Sequence, residues 1–84
     1  MDNELKIRNF IINLEEPFQL AELIVAFRNN GGTNDLMALQ MVSTLLDENQ
    51  LFYQEITVDE EGYPIKAYLT KKCVEKLKEA KYTR

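Results

Sequence analysis

The sequence predicts a mainly α-helical domain with one small β-hairpin and an added helix at its C-terminal end. Three observations predict it. Apolar residues recur at helical spacing through most of residues 3–48. The stretch from Leu51 to Val58 is instead rich in aromatic and β-branched residues, and a Gly/Pro turn and a second alternating stretch follow it. Finally, 84 residues with 45% hydrophobic and 29% charged side chains supply one core and an ordinary globular surface. A chain of this size buries roughly 60–65% of its unfolded surface, which leaves little spare core and makes a homodimer or another protein partner a reasonable expectation.

Taken in order, Ile7, Phe10, Ile11 and Leu14 set a first amphipathic helix over residues 3–14. Glu15-Glu16-Pro17 ends it, because a residue before proline is pushed out of helical geometry. Phe18-Gln19 is a short extended link. Leu20, Leu23, Ile24 and Phe27 form the stripe of a second helix over 20–29, stopped by Asn29-Asn30-Gly31-Gly32. Thr33 is the expected cap of a third helix over 33–48, with Asp35 in its first turn and Leu36, Leu39, Val42 and Leu46 on its buried face. With that face inward, Asn34, Met37, Gln40, Met41 and Thr44 point to solvent. A hairpin over 51–69 turns at Asp59-Glu60-Glu61-Gly62-Tyr63-Pro64 and returns with Ile65, Ala67 and Leu69 on one face. Thr70 caps a last helix over 70–82, in which Cys73, Val74 and Leu77 face inward. The 1–84 chain shows no repeat or linker and reads as a single domain.

Composition excludes several chemistries. Histidine is absent and serine occurs once, as Ser43, so a hydrolase triad or a histidine-bearing zinc site has no material. Cys73 is the only cysteine and reads as a small core residue. Asp59-Glu60-Glu61-Gly62 lacks the alternating ligands of a calcium loop, and Asn30-Gly31-Gly32-Thr33 lacks the Lys-Ser/Thr pair of a phosphate loop. The expectation is a non-enzyme with no catalytic residue, metal, cofactor or small-molecule substrate. An acidic opening, Met1-Asp2-Asn3-Glu4, and the short apolar run Phe10-Ile11-Ile12 argue against a signal peptide or a membrane span and for a cytoplasmic protein.

The order of elements resembles the winged helix-turn-helix family, in its small bacterial or phage type, over about residues 3–70. The carriers are Phe18-Gln19-Leu20-Ala21-Glu22-Leu23, Gly31-Gly32-Thr33, Leu46-Asp47-Glu48-Asn49-Gln50-Leu51-Phe52 and Ala67-Tyr68-Leu69-Thr70. Gln50 stands where the family usually has a glycine between third helix and wing. The resemblance implies transcription regulation through duplex DNA, with the third helix in the major groove and basic residues on the wing. On that reading Asn34, Gln40 and Thr44 face base edges, while Arg28 and Lys66 reach phosphates.

The charges point elsewhere. From Asn29 through Ile65 there is no lysine or arginine, while Asp35, Asp47, Glu48, Glu55, Asp59, Glu60 and Glu61 give that stretch −7. DNA affinity is built largely on cations that neutralise phosphates, so this surface should repel a duplex. The first 66 residues carry 4 basic and 12 acidic side chains, a net of −8, and the remainder carries +4. The expectation is therefore a regulatory domain acting by binding, with weak or partner-assisted DNA contact. The alternative is a protein-interaction or dimerisation module that uses Met37 and Met41, or the last helix through Val74, Leu77 and Tyr82. The plainer reading is that Asn34 and Gln40 are solvated polar residues, Met37 and Met41 gap fillers in the core, and the basic last helix a solvated face.

Overall fold

The computed structural model describes residues 3–82, with side chains through Glu79. Its elements are α1 (Asn3–Ile12), α2 (Leu20–Asn29), α3 (Asp35–Asp47), β1 (Leu51–Val58), β2 (Pro64–Thr70) and α4 (Lys71–Tyr82). Three helices followed by an antiparallel hairpin and a further helix make an arrangement compatible with a winged helix bearing an added C-terminal helix.

Each boundary has a local cause. Helix α1 stops at Ile12, two residues before the periodicity does. There the Asn13 side chain donates to the Asn9 carbonyl at 2.7 Å, and the Leu14 carbonyl turns away to Thr70. At the start of α2 the Gln19 N–H donates to the Glu22 carboxylate at 2.8 Å, half of a capping box. The cap of α3 is Asn34 and not Thr33. Its Oδ1 accepts from the Met37 N–H at 3.1 Å, since an amide side chain one residue on serves that orphan donor equally well.

Helix α3 ends in a left-handed turn. Asn49 has φ 60°, the Asn49 N–H donates to the Leu46 carbonyl (3.1 Å) and the Gln50 N–H to that of Leu45 (2.8 Å). This is the double closure in which glycine is usual and asparagine tolerated, so the glycine-like role falls on Asn49 and Gln50 needs no unusual backbone. In the hairpin, Leu51 pairs with Thr70 and Tyr53 with Tyr68, and a bulge at Ile56 shifts the register before Val58 meets Pro64. Phe18 joins the sheet on the far side of β2, exchanging backbone hydrogen bonds with Tyr68 at 3.0 and 2.8 Å. Its ring stacks on Tyr68, which in turn meets Tyr53.

The core draws Ile7 and Ile11 from α1, Phe18, then Leu23 and Phe27 from α2, Ala38, Met41, Val42 and Leu45 from α3, and Leu51 from β1. Helix α3 is therefore rotated from the expected face. Leu36 is 65% exposed and Leu39 37%, Leu46 is half-buried, and only Val42 of the expected stripe is fully inside. Burying Ala38 explains the choice, because a small side chain at the centre lets α3 approach α1 and α2 closely. Among the described side chains of α4 only Cys73 is fully inside. Val74 is half-buried and Leu77 exposed, against the expectation that both face inward.

Candidate functional site

The two helices that would form a helix-turn-helix are held in a fixed relation. Gly31 takes φ 89°, a left-handed value that closes α2, with its N–H on the Arg28 carbonyl at 3.0 Å. Gly32 lies against the Phe27 ring so closely that a Cβ there would sit 2.5 Å from ring carbons. Across the turn Arg28 grips Asp35 with two hydrogen bonds, Nε to Oδ1 at 3.2 Å and Nη2 to Oδ2. That hydrogen bonding raises the Arg28 pKa further, so the guanidinium stays charged.

This pair sets what the unit shows to solvent. Val25 precedes Arg28 by one turn and Leu39 follows Asp35 by one turn, so both lie on the side marked by the ion pair. Leu36, Leu39, Gln40, Ser43 and Asp47 continue as one exposed stripe along α3. Val25, at 58% exposure, and Leu36 make this an apolar face at the very place where a DNA reader would carry polar and basic groups. The sequence held a signal for it. Eight of the 13 residues of α3 are apolar, more than one buried face can absorb.

The five candidate nucleic-acid residues stand on α2, on α3 and its cap, and on β2, and three of them have hydrogen-bond partners within the chain. Asn34 spends its carbonyl oxygen on capping α3. The Thr44 hydroxyl donates to the Gln40 carbonyl at 3.1 Å, and the Gln40 side chain is exposed. Arg28 is tied to Asp35. Lys66 stands on β2, with its ammonium 5.9 Å from the centre of the Tyr53 ring. Asp59 is likewise structural, its carboxylate accepting from the Glu61 and Tyr63 N–H groups at the hairpin tip.

The protein-interaction candidates also change place. Met41 is buried at 8% exposure and Met37 half-buried against the core, so they fill gaps there and form no exposed stripe. Both instead line the floor of a groove of about 510 Å³ between α1 and α3, which Arg8 and Glu48 also border. The hydrogen bond from Arg8 holds the Glu48 carboxyl below the usual carboxylate range. On α4, Leu77 is 52% exposed beside half-buried Val74, whereas the side chain of Tyr82 lies outside the described residues.

Among the described residues no cluster of His, Cys, Asp and Glu could hold a metal ion, and no helix is long and apolar enough to cross a membrane. No protein-family model matches the chain, and no curated protein or solved structure matches it either. Fold and surface therefore define its class: a small helical domain with a winged-helix-compatible hairpin, whose α3 presents leucines to solvent.

Proposed function

We propose that this chain is a non-enzymatic regulatory domain of the winged-helix kind, acting in transcription control through a protein contact made by α3, with little direct grip on DNA. The observation that carries the reading is the outer stripe of α3, where Leu36 and Leu39 stand exposed within a stretch, 29–65, that holds no lysine or arginine. Counterion release is the main source of non-specific DNA affinity, and its salt slope counts the phosphates neutralised. Lys66 alone of the hairpin's side chains can contribute. A lone cysteine fits a cytoplasmic setting, where disulfides are rare.

The test is binding of random duplex DNA to the full chain across about 50–200 mM salt. The expected result is a Kd no tighter than about 100 μM at the upper end and a log–log slope no steeper than about −2. Sub-micromolar binding with a steep slope would instead restore the DNA-reading function, and Lys66→Ala would then be the first contact to examine. The homodimer belongs to the same proposal, supported by the small core and by exposed Leu77 on α4. Sedimentation of the full chain should show concentration-dependent association that Leu77→Glu abolishes. A monomer at every concentration removes the dimer from the proposal.

A further inference from the structure

We propose that the α2–α3 face receives a basic helix with an apolar stripe, presented by a partner protein. This rests on the reading that α3 docks protein, and it goes further by fixing the partner's chemistry and direction.

Three acids of the 29–65 stretch are already engaged. Asp35 is neutralised by Arg28 and Glu48 is paired with Arg8, while Asp59 is turned into the hairpin tip. Asp47 stays exposed on the same stripe as Leu36 and Leu39, and takes part in no ion pair among the described residues. It follows Leu39 by eight residues, which is about 12 Å along the helix axis. It also sits at the C-terminal end of α3, where the helix dipole adds negative potential. The face is thus polarised, with apolar Val25, Leu36 and Leu39 at one end and Asp47 at the other.

Two leucines one turn apart on an exposed helix match the i, i+3/i+4 anchors of a second amphipathic helix. The matching occupant carries apolar anchors over Leu36 and Leu39 and a lysine or arginine about two turns away, over Asp47. With no cation between residues 29 and 65 to answer it, an acidic helix would meet like charge.

The experiment titrates the isotopically labelled full chain with two synthetic peptides and follows its amide spectrum. Both peptides carry the same leucine stripe at helical spacing, one with lysines and one with glutamates elsewhere. The lysine peptide should shift the amides of Val25, Leu36, Leu39 and Asp47 and bind at least about tenfold more weakly to Leu36→Ser/Leu39→Ser. Because both leucines are exposed, the double variant should keep the native spectrum; should it not, Asp47→Lys serves alone. That change should weaken the lysine peptide and strengthen the glutamate peptide. Equal binding of both peptides, or shifts confined to other elements, overturns the proposal. Occupation of Leu36 and Leu39 by the glutamate peptide alone overturns the basic partner and leaves protein docking standing. Duplex DNA shifting these same amides overturns both.

Discussion

Leu45→Ala should destabilise the domain by roughly 2–5 kcal/mol, the range for a fully buried leucine whose cavity cannot collapse. Leu45 has no exposed surface and packs in the core with Ile11, Leu23 and Leu51. Half-buried Leu46 should cost clearly less, and Leu36→Ala should fall within about 0.5 kcal/mol of the parent, as surface changes do. In a domain of this size 1 kcal/mol moves Tm by about 4–8 °C, so the first variant melts far earlier and the third almost unchanged. Urea titration with the slope held constant gives the order directly. The same order decides function. If Leu46→Ala cost more than Leu45→Ala, α3 would be turned by about 100°, the angle of one residue. Leu36 and Leu39 would then point inward, and the proposed docking face would not exist.

That one-residue ambiguity shows where the sequence was legible and where it was not. Helix α2 and both hairpin strands could be read because each carries a local signal: the stripe Leu23–Phe27 closed by Gly31, and alternation broken by Gly62 and Pro64. In α3 the signal is degenerate. The stripe Leu36, Leu39, Val42, Leu46 and the stripe Ala38, Met41, Val42, Leu45 share Val42 and otherwise interleave, with Leu39 next to Ala38 and Leu46 next to Leu45, so periodicity cannot choose between them. Close approach of neighbouring helices chooses, and it favours the stripe with the small residue. The rotation turned Met37 and Met41 from a supposed interaction surface into packing and put leucines in their place. Thr33 and Asn34 posed the same kind of problem, two good caps side by side. The pairing of Phe18 with Tyr68 left no local trace, because it joins residues far apart in sequence. The cation-free stretch from Asn29 to Ile65, by contrast, is a property of composition and needed no structure to be seen.

Thr70→Val should cost roughly 1–3 kcal/mol although it preserves shape and volume, because it deletes a hydroxyl that two backbone groups depend on, one in a buried bond and one in a part-buried bond. Thr70 is fully buried at the joint between β2 and α4. Its Oγ1 donates to the Leu14 carbonyl at 2.6 Å and accepts from the Cys73 N–H at 3.1 Å, which caps α4 and ties it to the chain leaving α1. In the valine variant the Leu14 carbonyl keeps only the Cys73 thiol, a weak donor 3.5 Å away, and the Cys73 amide has no acceptor from its cap. Thr70→Ser retains the hydroxyl and should lose less than valine does, despite the missing methyl. Hydrogen exchange at the Cys73 amide separates the two, with faster exchange in the valine variant and parent-like protection in the serine variant. The exposed contacts of α4 with the same segment, Lys72 on Asn13 and Lys76 on Glu16, are surface pairs and cannot replace that buried bond. Equal stability of the valine and serine variants would mean that burial of Leu69 and Cys73 alone holds α4 in place.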